Sequence, residues 1–265
     1  MNIFFRELKA HRKSLIIWGV CIIIGVYMGM VKFESYQSAG QSMTDLLKDI
    51  PNSLKMLLGF GSLDVSKIGG YYGVLYVYLQ LTATIHAVML GAGIISGEES
   101  DKTAEFLMTK PVSRSGVVTS KLLAALVNVV VVNICTLVSS VAIVGVYSSG
   151  ESISGEIAEL MLGMFLSQLI FLSVGTGLAA VLKNSKAAAS FGAGILVLTY
   201  ILAMIAGLNS RLEFVKYISP FKYFEAEAVI LGNGYEAVYI IFSLIIVVVL
   251  SVLTYVFYNR RDLKV

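Results

Sequence analysis

The chain has 265 residues, of which 57% are hydrophobic and 14% charged, against about 25% charged in an ordinary soluble domain. That density cannot clothe a water-facing surface, so a soluble enzyme and a disordered chain are excluded. A net charge of +3 leaves no basic surface large enough for nucleic acid.

Six long stretches contain no Asp, Glu, Lys or Arg: 14–31, 68–97, 122–150, 160–182, 187–210 and 237–259. They take up 147 residues, and all 37 charges fall in the other 118. Each stretch reaches the 18 or so residues at which an apolar run becomes a candidate spanning helix. The sequence therefore predicts an all-α membrane protein, one domain over residues 1–265. Its spans are expected at about 14–33, 71–96, 119–147, 157–182, 187–208 and 236–258.

In chain order, residues 2–13 form a short amphipathic element, with Phe4, Leu8 and His11 on one face at helical spacing. It suits an interfacial helix on anionic lipid or a docking surface for a cytoplasmic partner. The first apolar run, Leu15 to Val31, is longer than a signal-peptide core and has no small-residue cleavage site behind it, so it reads as a retained anchor. Gly25 and Gly29 within it allow close helix contact. The loop at about 32–70 places Leu46, Leu47, Ile50, Leu54, Leu57 and Leu58 at three- and four-residue intervals. It predicts amphipathic helices resting on the membrane surface, broken near Pro51 and Gly59.

Span two carries Gln80, Thr84 and His86, and span three carries Asn128 and Asn133. Such groups either tie neighbouring helices together, at about 0.6 kcal/mol each on average, or line a translocation path. No Asp or Glu lies in any span, which argues against a proton- or ion-coupled carrier. Two histidines in the whole chain are too few for an intramembrane metal site. Cys21 and Cys135 form neither a disulfide framework nor a metal spacing. No catalytic, cofactor or metal residue is assigned.

Between spans two and three runs GEESDKTAEFLMTKPVSR, residues 97–114. Acids open it, as suits the positive end of a helix dipole. Pro111 closes it, because the residue before a proline avoids the helical region. Ser113 or Ser115 can cap the following span. The pattern predicts a helix of about three turns over 99–109, with Phe106, Leu107 and Met108 offered to a groove. The last loop, about 209–234, contains Ser219-Pro220-Phe221 and is too apolar to hang free in water.

Six spans put both termini on one side. If that side is cytoplasmic, 13 of the 20 Lys and Arg lie inside and 7 outside, as the positive-inside rule asks. Tyr71, Tyr72, Tyr76, Tyr235 and Tyr239 gather at the outer boundary and Trp18, Tyr255 and Tyr258 at the inner one, the pattern of headgroup anchors.

The 98–114 stretch resembles the loop between spans two and three in permease subunits of type-2 ATP-binding-cassette exporters. The residues that carry the likeness are Glu98, Glu99, Thr103, Glu105, Leu107, Pro111, Ser113, Arg114 and Lys121. Lys102 and Ser120 stand where that motif usually has glycine. The Ser219-Pro220-Phe221 loop, the Pro51 segment and the six-span layout extend the likeness over nearly the whole chain. The resemblance implies a permease in a bacterial cell membrane, paired with a second like or unlike permease and driven by a separate cytoplasmic ABC ATPase that binds ATP and Mg. It makes 98–114 the coupling loop, with Glu98, Glu99, Thr103, Glu105, Phe106, Leu107, Pro111 and Arg114 as ATPase-contacting residues. The chain itself has no G-x-x-x-x-G-K-[ST] phosphate loop. The expected cargo is lipid-like, peptide or hydrophobic and drug-like. Two other readings stay open at this level: a membrane-embedded enzyme acting on lipid or peptide, and a non-transporting membrane anchor.

Overall fold

A computed structural model describes residues 3–38, 51, 55, 62–100, 113–148, 150, 152–182, 184–208 and 215–260. The described residues form helices α1 (Ile3–Ser38), α2 (Ile68–Ser100), α3 (Arg114–Tyr147), α4 (Ser154–Val181), α5 (Ser185–Leu208), α6 (Pro220–Tyr223), α7 (Ala226–Ile230) and α8 (Ala237–Arg260). Six of these, α1 to α5 and α8, are long and apolar enough to cross a membrane, as the charge-free runs predict. Most of the stretch 39–61, which falls in the loop expected to form amphipathic helices, and residues 101–109 of the helix expected over 99–109 lie outside the described residues.

α2 and α4 form the centre, with the most extensive contact in the molecule, and the other spans pack around them. α1 lies chiefly on α3, α5 on α2 and then α4, and α8 chiefly on α4. A glycine on each central helix makes their closeness possible. A methyl group on Gly91 would stand 2.5 Å from the Leu172 carbonyl oxygen, and one on Gly175 would stand 2.4 Å from that of Val88. Each glycine thus abuts the other helix's backbone, a distance no side chain permits.

Along this bundle the apolar packing divides into two halves. In the half that bears the chain ends, Ile94 and Ile95 of α2, Val117 and Val118 of α3, Ala179 of α4, Ala188 of α5 and Tyr258 of α8 share one cluster. In the other half Met30, Tyr72, Tyr76, Val144, Ile157 and Met164 share another. Between the clusters lies a polar layer made by Gln80 and Thr84 of α2, Asn128 and Asn133 of α3, and Ser167 and Gln168 of α4.

Two local features depart from the sequence-based expectations. Residues 3–13 are the first turns of the unbroken α1, not a separate surface helix, because Ile3, Phe4 and Leu8 bury against the chain-end cluster. Tyr72 and Tyr76 are fully buried and hold helices together instead of anchoring a headgroup layer. Gly29 is pressed against Leu75 of α2, so its small size serves contact within the subunit. Residues 215–236 fold into α6, α7 and turns that pack on α2, α4, α5 and α8, which accounts for the apolar character of that loop.

Candidate coupling face and mid-bundle polar layer

The face bearing both chain ends holds the two ends of the 101–112 segment. α2 runs to Ser100 without a break and therefore carries Glu98 and Glu99 on its last turn. α3 begins at Arg114, and Ser113 caps it by accepting from the Gly116 amide at 3.1 Å. Thr103, Glu105, Phe106, Leu107 and Pro111 lie outside the described residues.

Both stems are pinned. Lys121 is completely buried about two turns into α3, and its ammonium donates to the Ile94 carbonyl oxygen of α2. Burying an ammonium is expensive without hydrogen-bond acceptors, so this position ties α2 to α3 just behind the loop. At the loop's other edge, Arg114 donates to the Asn259 backbone oxygen of α8 at 3.1 Å. Asn259 donates from its side chain to Ser115 at 3.1 Å, and Thr119 meets Tyr255 at 2.8 Å. α3 is therefore laced to the end of α8 over its first two turns.

α1 completes this face. Glu7 is buried, accepts from Arg6 at 2.8 Å and lies 3.9 Å from His11. Ile3, Phe4 and Leu8 pack on the cluster that holds Ile94 and Val117, so the start of α1 lies beside the α2–α3 tie. The sequence motif includes Lys121 but does not reveal that it bridges two helices, since its partner lies 27 residues away. Asn259 carries no motif signal at all.

The five polar span residues fall in or beside one layer but do not converge on one point. Gln80 donates to Ser167 of α4 at 2.9 Å. Asn133 donates to the Met161 carbonyl oxygen at 3.0 Å and to Gln168 at 3.2 Å. Thr84 and Asn128 bond back to carbonyls of their own helices, at 2.8 Å each. His86 is buried with its ring 5.4 Å from that of Trp18 on α1. Gln80 and Asn133 are thus the two that cross between helices.

The family model of the ABC-2 family transporter proteins matches residues 1–263. The chain belongs to that family. It is an ABC-2 membrane permease, a transport subunit with several spans and no ATPase domain of its own. No curated protein matches the chain. Membership implies an ATPase partner.

Proposed function

We propose that this permease is the membrane half of an ATP-driven exporter, taking its power stroke at the chain-end face. The observation that carries the reading is the pinned pair of stems. α2 and α3 leave the bundle joined through Lys121, and α3 is joined to α8 through Arg114 and Asn259. A push on residues 98–114 is therefore delivered to three spans at once.

In this reading the chain-end face is cytoplasmic, in keeping with its excess of Lys and Arg. Glu98, Glu99 and Glu105 meet basic groups of the ATPase, while Phe106 and Leu107 fill its groove, with Thr103 and Pro111 setting the helix ends. A second permease, like or unlike, closes the path. Gln80 and Asn133 act as ties that hold α2 and α3 on α4, and any path that uses Thr84, His86 or Asn128 opens only when those ties part. The apolar spans fit a lipid-like, peptide or drug-like cargo better than a bare ion.

The test is co-expression of the tagged permease with a candidate ATPase, followed by purification and an ATPase assay in liposomes. The ATPase is expected to co-purify, and charge reversal at Glu98 and Glu105 together is expected to remove permease-dependent hydrolysis. Undiminished hydrolysis in that double variant would sink the coupling reading.

A further inference from the structure

On the face opposite the chain ends, a cleft of about 640 Å³ opens between the end of α5, the start of α8 and the 216–236 segment. Its volume is that of a small-molecule site. α6 makes it by wedging between α5 and α8, two helices that both pack on α4 and, among the described residues, scarcely meet each other. The cleft is held open by rigid groups. Tyr223 of α6 stacks on Tyr239 of α8 at 5.1 Å between centroids and 11° between planes, and its hydroxyl donates to the Tyr217 carbonyl oxygen. Tyr235 lines the cleft with part of its ring, while its hydroxyl lies where a methyl on Gly163 of α4 would be.

The charges in this cleft separate into a closed pair and an open pair. Lys222 and Glu225 bond to each other, and burial still pushes the Glu225 carboxyl above its ordinary range. Lys216 and Glu236 line the same cleft and are not paired with each other. Both line the cleft together with Tyr239. Lys216 stands 5.4 Å over the Tyr217 ring, a contact that leaves its hydrogens for a ligand. Below the cleft the surface turns apolar: Ile205 of α5 and Phe242 of α8 are exposed, and Phe242 meets the edge of Tyr223. Ala206 lines the cleft one residue after Ile205, and Tyr239 lies one turn before Phe242.

A polar, aromatic cleft with one free charge of each sign, continuous with an apolar wall at the end of two spans, matches an amphiphile with a zwitterionic head. We infer that this cleft binds a lipid-type molecule whose phosphate rests on Lys216, whose ammonium rests against Glu236, and whose chains lie in the groove between α5 and α8. The ammonium site offers an unpaired carboxylate, which attracts cations. The inference names a substrate class for the exporter proposed above, and the orientation proposed there puts the cleft at the outer leaflet. The binding itself needs no ATPase.

The experiment is titration of the purified full chain in maltoside micelles with three probes: dihexanoyl phosphatidylethanolamine, dihexanoyl phosphatidylglycerol and free phosphoethanolamine. The first is expected to bind saturably, the second about tenfold more weakly for want of the ammonium, and the third more weakly still for want of chains. Lys216→Gln should weaken both lipids about tenfold, whereas Glu236→Gln should weaken only the phosphatidylethanolamine. Both side chains line an open cleft, so the melting temperatures of the variants check that the fold is kept. If neither substitution changes phosphatidylethanolamine binding, or if the two lipids bind alike, the assignment is wrong. Equal binding of free phosphoethanolamine would overturn the lipid class in favour of a soluble zwitterion. A disulfide between two copies formed through Ile205→Cys, with no lipid bound, would show the groove to be covered by a second permease instead. A permease that binds phosphatidylethanolamine as expected but does not stimulate its ATPase would refute the exporter reading alone.

Discussion

α2 and α8 cross the same bilayer yet are built on opposite rules. In their most apolar windows, 61% of α2 and 67% of α4 are buried within the subunit, against 17% of α1 and 11% of α8. The order of apolar character is the reverse: α8 is the most apolar span, and α2 and α4 are the least. In water this would be paradoxical. In a bilayer the solvent is itself apolar, so hydrophobic side chains gain nothing by leaving it, while polar groups gain by meeting one another inside the bundle. The centre of this permease is therefore where its glycines, amides and hydroxyls lie, and its periphery is a wall of Val, Ile and Leu.

That contrast can be tested by damage of graded size. The largest effect is expected from Gly175→Leu, which would drive a side chain into the α2 backbone. Gly175→Ala should already cost about 1–3 kcal/mol, the usual price of overpacking, and the leucine should leave little monodisperse protein in size-exclusion chromatography. Gly145→Ala is the counterpart on α3, where a methyl would meet nothing within 4 Å, and it should leave the melting temperature unchanged or slightly raised.

Lys121→Met comes next. It removes the ammonium that bonds to the Ile94 carbonyl oxygen and should cost about 1.5–3 kcal/mol, the usual net worth of a hydrogen bond to a charged group. Thermal melting in detergent reads that loss, and ATPase stimulation should fall further than stability if the tie also transmits force. Full stimulation with a lowered melting point would make the lysine a brace only.

Gln80→Leu should be milder, about 0.6 kcal/mol for one lost interhelical bond, read as a shift of a degree or so in the melting point. Smallest of all is Val248→Leu on α8, a side chain 60% exposed, which should stay within about 0.5 kcal/mol of the parent. A large loss there would mean that α8 is covered by another protein surface and not by lipid.

Much of this plan is legible in the sequence, and the limits have physical reasons. Charge-free runs report the spans because a bilayer tolerates few charges at any position, whatever the tertiary contacts. The central pair could have been picked out as well. Ala87 with Gly91, and Gly175 with Ala179, are small residues four apart on spans two and four, a spacing equal to that noted at Gly25 and Gly29. The tyrosines misled because a ring near a span end suits a headgroup layer and a helix interface equally, and only the fold shows that Tyr72 and Tyr76 face inward. The tie from Lys121 to Ile94, the clamp from Arg114 to Asn259 and the placing of Lys216 and Glu236 in one cleft all join distant parts of the chain, so no local pattern announces them.

The crossing of Gly91 and Gly175 has a mechanical consequence. With backbone against backbone, α2 and α4 have no side-chain cushion there, and the contact is a fulcrum. Gly91 stands 23 positions after Ile68 and nine before Ser100, giving arms of about 35 Å and 14 Å at 1.5 Å per residue. A straight helix turning on that point multiplies movement about two and a half times from the short arm to the long one. A nudge of about 1 Å at Ser100 would swing the Ile68 end by about 2.5 Å.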